Sequence, residues 1–104
     1  MKKLAIEIVK LGFKGGFDLD TIKNAAEIAE LESVSIDTNM VCKANNLYSS
    51  EEGYTDFVIF DGKALVIAEE NGYEFEGMIV PVSRVRELQR WESEGYRRLE
   101  GGEF

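Results

Sequence analysis

The stretch Phe57-Val58-Ile59-Phe60-Asp61-Gly62-Lys63-Ala64-Leu65-Val66-Ile67-Ala68 decides how this chain folds. Asp-Gly between two apolar runs signals a two-residue hairpin, because a type I′ turn needs positive φ at both central positions. Phe57 to Phe60 and Ala64 to Ala68 are therefore expected to pair antiparallel. Both alternate sets in both strands are apolar: Phe57 and Ile59 against Val58 and Phe60, then Leu65 and Ile67 against Val66 and Ala68. A strand with one wet face alternates apolar and polar residues, so here both sheet faces need cover. Either a homodimer or a sheet covered on both faces within the chain satisfies that requirement.

Downstream, Asn71-Gly72 is a second hairpin dipeptide and leads to a strand from Tyr73 to Val80, closed by Pro81, which cannot donate to a ladder. Ser83 is then expected to cap a helix that carries Val85, Leu88 and Trp91 inward and stops near Gly95. Upstream, Val34 to Cys42 has period two, with Val34, Ile36, Thr38, Met40 and Cys42 on one side and Ser35, Asp37, Asn39 and Val41 on the other. That pattern predicts a half-buried strand. Lys43 to Tyr54 is a polar connection of 12 residues, long for a passive loop.

At the N-terminus, Lys3, Glu7, Lys10 and Lys14 share one narrow stripe at 100° per residue, which predicts a largely buried helix stopped by Gly15 and Gly16. Asp18 and Asp20 offer N-cap carboxylates for a helix over Thr21 to Glu32, whose face Ile22, Ala25, Ala26 and Ala29 is small enough for close helix packing. The expected architecture is α+β: an N-terminal helical hairpin, a four-stranded antiparallel meander and a C-terminal helix. Residues 1–100 are read as a single domain and 101–104 as a flexible tail.

The chain has 104 residues, 20 acidic against 12 basic, for a net charge of -8, with no histidine and one cysteine. At this size roughly 65% of the unfolded surface can be buried, enough for a real core. The absence of histidine removes histidine bases, triads and metal sites. The acidic balance opposes direct nucleic-acid binding, which relies on Lys and Arg against phosphates. A lone Cys42 forms no internal disulfide, so a reducing, cytoplasmic setting is expected. The apolar N-terminal run is broken by Glu7 and Lys10, unlike a signal peptide, and no run reaches membrane-spanning length.

Local motifs give little chemistry. Phe17-Asp18-Leu19-Asp20-Thr21 resembles the first motif of haloacid-dehalogenase-like phosphatases, whose paired aspartates act as nucleophile and acid/base. That motif ends a buried strand and places its Thr one position later, whereas here two glycines precede and a helix follows, as capping aspartates require. A calcium loop fails at Lys23 and Ala29, where the turn glycine and the bidentate glutamate would fall. Gly101-Gly102-Glu103-Phe104 resembles a shortened diguanylate cyclase signature, but it forms the last four residues. Gly12, Gly15 and Gly16 lack phosphate-loop spacing and a following Lys-Ser or Lys-Thr. Cys42 on an apolar face reads as a small buried hydrophobe.

Charge distribution carries more. Residues 1–14 hold four basic and one acidic group, residues 15–80 three and 14, and residues 81–104 five and five. The candidate partner-binding residues are Asp37, Asn39, Tyr48, Glu51, Glu52, Glu69, Glu70, Glu74 and Glu76, on the first strand, the long loop and the last hairpin. Arg86, Arg90 and Arg97, on one helical stripe, form a secondary candidate surface. No catalytic residue, metal or cofactor is expected. The reading is a non-enzymatic interaction module, an inhibitor or adaptor that docks on a basic, nucleic-acid-processing protein. In profile, without an alignable motif, the chain is similar to phage-type inhibitors, some of which imitate phosphate charge. Two other readings compete with it. A small-molecule binder or carboxylate- or metal-dependent enzyme would use a cleft beside the long loop. A winged-helix-like regulator would have to read DNA with Thr21 to Glu32, which carries one Lys against three Glu.

Overall fold

A computed structural model describes residues 1–15, 18–49, 52–70 and 75–94. The elements are α1 (Lys2–Phe13), α2 (Leu19–Ile28), β1 (Ser33–Asp37), α3 (Thr38–Ala44), β2 (Tyr54–Phe60), β3 (Lys63–Glu69), β4 (Ile79–Pro81) and α4 (Val82–Ser93). The four strands form one antiparallel meander in the order β1-β2-β3-β4. The protein is thus an α+β fold, with an N-terminal helical pair and a C-terminal helix as expected.

The β2–β3 hairpin turns on Asp61 and Gly62, at φ 53° and 74°, the positive pair that a type I′ turn demands. Its two apolar sides are both covered by helices of the chain itself. On one face Val58, Leu65 and Ile67 pack with Ala5 and Val9 of α1 and with Ile22, Ala25 and Ala26 of α2. On the other, Phe57, Ala64 and Val66 pack with Met40, Val41 and Cys42 of α3 and with Val85, Leu88 and Trp91 of α4. Helices on both faces satisfy the covering requirement without a second copy.

Helix α1 ends with Lys14 as its C-cap and Gly15 at φ 93°, the left-handed residue that halts a helix. The expectation of a largely buried helix needs correction. Only Ala5, Val9 and Gly12 are buried, while Leu4 and Leu11 are exposed, because α1 is an outer element with α2 beside it and the sheet beneath. Asp18 takes the N-cap position of α2, but its carboxylate caps no helix amide and instead accepts a hydrogen bond from Thr21 Oγ1 at 3.2 Å. That helix stops at Ile28, short of Glu32. Glu30 adopts φ 57° and the Leu31 amide donates to the Ala26 carbonyl at 3.0 Å, a bonding pattern that closes a helix C-terminus.

The first strand is also shorter than its alternation suggests. It ends at Asp37, and Thr38 to Ala44 is helix, so Asn39 lies on α3 and not on the polar side of a strand. The Asp37 carboxylate accepts from the Asn39 amide at 2.8 Å and nucleates the helix as its N-cap. Thr38, Met40, Val41 and Cys42 are all buried, a cluster that fits helical spacing as well as period two. Of the strand expected over Tyr73 to Val80, Tyr73 and Glu74 lie outside the described residues, and among the described ones β4 spans only Ile79–Pro81. Phe75 to Met78 instead makes a turn closed by the Met78 amide on the Phe75 carbonyl at 2.9 Å, with the Phe75 ring in the core. The Asn71-Gly72 hairpin lies outside the described residues. Ser83 does not cap α4. The helix begins one residue earlier, since the Val82 amide donates to the Gly62 carbonyl at 3.2 Å and Pro81 takes the N-cap position.

Two substitutions check the packing on the two faces. A β-carbon at Gly12 would sit 2.6 Å from Cγ1 and Cδ1 of fully buried Ile22. Gly12→Ala should therefore destabilise by about 1 to 3 kcal/mol of overpacking, against roughly 1 kcal/mol gained from helix propensity. A raised melting temperature would show that α1 and α2 can separate freely. Trp91 is buried beside Leu88, so Trp91→Ala should lower unfolding free energy by about 3 to 5 kcal/mol in urea titration.

Candidate functional surface at the acidic end of the sheet

Strand register decides which polar residues meet. Asp37 pairs with Tyr54, Ser35 with Asp56, and Thr55 with Glu69, while the Glu70 amide donates to the Tyr54 carbonyl at 3.2 Å. The end of β1, the start of β2 and the end of β3 therefore share one end of the sheet. Asp37, Asp56, Glu69 and Glu70 gather there, with Glu52 two residues before Tyr54. From α4, Glu92 Oε2 accepts the Asp37 amide at 2.6 Å. Of the candidate partner-binding residues, Asp37, Glu69 and Glu70 come to this end of the sheet, and Glu52 lies close to it in sequence. Tyr54, Asp56 and Glu92, which the sequence does not single out, lie there as well.

A β-bulge shapes this end. The register shifts between Asp56 and Phe57, so Asp56 faces Ala68 while Phe57 faces Val66. The extra residue on β3 increases the local twist and places small Ala68 opposite the aspartate. Between this part of the sheet and α2 lies a cleft of about 550 Å³ lined by Lys23, Ser35, Tyr54, Asp56, Ala68, Glu69 and Glu70. A smaller recess of about 130 Å³, also touching Lys23, Ser35 and Asp56, continues beneath α2 toward Leu31, Val58 and Ile67. The Ser35 hydroxyl donates to Asp56 Oδ1 in the cleft wall. Lys23 is the one cation of the lining, against three carboxylates.

The acidic groups divide by role. Asp37 caps α3, and Glu69 Oε1 accepts the Phe75 amide at 2.6 Å, holding the β3–β4 connection. Behind Asp37, the buried hydroxyls of Thr38 and Thr55 lie 3.0 Å apart and tie α3 to β2. Glu52 and Glu70 are exposed and form no ion pair among the described residues. Tyr54 is 56% exposed and Tyr48 88% exposed, so two aromatic rings stand at the surface near these carboxylates in sequence. The carboxylates are spread along the sheet end: among the described residues no three acidic or thiol groups come close enough to hold a metal ion.

The long loop is tied at both ends. The Asn45 side chain donates to the Val41 carbonyl at 2.9 Å, the Leu47 amide to the Cys42 carbonyl at 2.8 Å, and the Thr38 amide to the Gly53 carbonyl at 3.0 Å. Asn39 is partly buried and Glu76 half-buried. Glu51, Glu74 and Arg97 lie outside the described residues. On α4, Arg86 and Arg90 line an open groove with Ser83, Arg84 and Glu87. Arg86 pairs with Glu32 and also donates to the Gln89 side-chain oxygen at 2.9 Å, while Arg84 pairs with Glu87 at 2.8 Å. Arg86 thus helps fasten α4 to the segment between α2 and β1.

Among the described residues no helix is long and apolar enough to cross a membrane. Comparison with protein-family models, with curated proteins and with solved structures found no match to this chain.

The capping role of Asp37 is separable from its charge. Asp37→Ala should cost about 1 kcal/mol of stability, whereas Asp37→Asn, which keeps an acceptor for the Asn39 amide, should cost little. Equal losses in both variants, read from denaturation midpoints, would mean that the charge and not the cap matters.

Proposed function

We propose that this protein is a non-enzymatic interaction module, an inhibitor or adaptor that docks its acidic sheet end on a basic surface of a nucleic-acid-processing protein. The observation that carries this reading is the register that gathers Asp37, Tyr54, Asp56, Glu69 and Glu70 at one end of a rigid sheet. Carboxylates held on paired strands present a fixed pattern of negative potential, which steers a basic partner and suppresses acidic ones. Exposed Glu52 and Glu70 supply unpaired charge, and Tyr54 supplies an aromatic anchor of the kind enriched in binding hot spots. The cleft beside Tyr54 has the size and charge for a Lys or Arg side chain of the partner, which Asp56 and Glu70 would receive in charge-assisted hydrogen bonds.

The winged-helix alternative gains no support from α2. Its apolar face, Ile22, Ala25 and Ala26, is buried, and its exposed positions include Asp20 and Glu27 beside Lys23. Such a surface would repel phosphates.

The test begins with affinity purification from the native host and continues with association kinetics against the purified partner at two salt concentrations. Replacing Glu52, Glu70 and Glu76 together with glutamine should slow association by about tenfold at low salt and flatten its salt dependence, since exposed charges are screened within roughly 8 Å at physiological ionic strength. A charge-matched control, Glu7, Glu27 and Glu30 to glutamine, should change the rate little. Equal effects of the two variants would reduce the acidic end to a contribution to net charge.

A further inference from the structure

The opposite end of the sheet has a different character. Around the β2–β3 turn, Lys10, Phe13 and Lys14 of α1 and its C-cap meet Phe60, Asp61 and Lys63 of the hairpin about a concavity of about 520 Å³. Three lysines, from the end of α1 and from β3, line it against one carboxylate, Asp61. The Phe13 and Phe60 rings form the apolar wall, with centroids 6.0 Å apart and planes tilted by 56°. Lys10 reaches Glu7 at 3.4 Å as an exposed pair, which binds it weakly. Lys14 and Lys63 make no ion pair among the described residues.

Ordinary helix electrostatics accounts for part of this. Lysines in the last turn of α1 complement the negative end of its dipole. Lys63, on β3, has no such reason to be there, and the Phe13 and Phe60 rings, packed on the edge of the α1/α2 core, stay half-buried and so leave apolar surface open at the recess. The net charge of -8 does not cancel the local field. Tyr54 and Phe60 stand at opposite ends of β2, roughly 20 Å apart at about 3.3 Å per residue, well beyond the ~8 Å over which charges act in physiological salt.

We infer that this recess is a binding site for a small anion carried on a flat aromatic body, with a free nucleoside phosphate as the fitting class. The lysines would take the phosphate oxygens in charge-assisted hydrogen bonds, and the edge or face of Phe60 and Phe13 would take the base. The recess falls within the volume range of small-molecule sites, about 300 to 1,000 Å³. Asp61 opposes the anion and sets the affinity lower than the lysines alone would give. The site is independent of the acidic end and of the partner proposed for it.

The test is calorimetric titration of the full chain with ADP, pyrophosphate and adenosine separately, followed by amide chemical-shift mapping. ADP should bind one to one and about tenfold more tightly than either fragment, as expected when two classes of contact act together. Shifts should centre on Phe60 to Lys63 and leave the Trp91 indole unmoved. Lys14→Ala with Lys63→Ala, both on exposed positions, should weaken ADP by about tenfold or more at unchanged melting temperature. Asp61→Asn keeps a residue that tolerates the left-handed turn and should strengthen ADP about two- to threefold, a gain that structural damage does not produce. Pyrophosphate binding as tightly as ADP, no saturable binding at millimolar ADP, or insensitivity to both lysine and Asp61 variants would each overturn the proposal.

Discussion

A strand pair that is apolar on both sides is the constraint from which the rest of this structure follows. Phe57, Val58, Leu65 and Val66 are each almost fully buried, and they point alternately to opposite faces. Burial of such side chains is worth about 1.5 to 3 kcal/mol each, so neither face can be left to water. One helical pair precedes the sheet in the chain and covers one face. Short α3, inserted between β1 and β2, joins α4 to cover the other. The insertion explains why the connection from β1 to β2 is long: it carries a helix that must reach the second face before the chain returns to the sheet.

The same hairpin sorts charge. Because β2 runs from Tyr54 to Phe60 and β3 returns from Lys63 to Glu69, residues close to the turn and residues far from it fall at opposite ends of the sheet. Lys63 and the C-terminal lysines of α1 lie at the turn, and Asp56, Glu69 and Glu70 lie away from it. Screening separates the two fields, so a strongly acidic chain holds a local basic recess as well as an acidic end. Several polar side chains in these regions have structural duties as well. Asp37 caps, Glu69 holds a turn, and Arg86 fastens α4 through Glu32.

The errors of sequence reading have definite causes. Val34 to Cys42 satisfies period two, but Asp37-Thr38-Asn39 is also a capping sequence, and the buried set Thr38, Met40, Val41 and Cys42 satisfies a helix equally well. Over so few residues periodicity does not choose, and the second-face core did. The α1 stripe predicts a buried remaining circumference, yet only one side of an outer helix meets the core, which leaves Leu4 and Leu11 in water. Of the candidate surface, the acidic residues were visible as composition. The placement of Tyr54 and Asp56 is not legible there, although Asp56 counts among the acidic residues, because it depends on what β1 and β3 set opposite them.

The sequence by itself determined the β2–β3 hairpin, the α+β class, the inward face of α4 and the need for cover on both sheet faces. Each rests on short-range chemistry: positive φ at Asp61-Gly62, alternation within a strand, and helical spacing of Val85, Leu88 and Trp91. Tertiary structure alone decided that the cover comes from within the chain, and that α3 supplies part of it. It also set the bulge that puts Ala68 opposite Asp56, and it assembled Lys10, Lys14 and Lys63 with Phe13 and Phe60. The physical reason is that a bulge, a register and a meeting of distant side chains are set by packing among elements, whose energy is not contained in any local window of the chain.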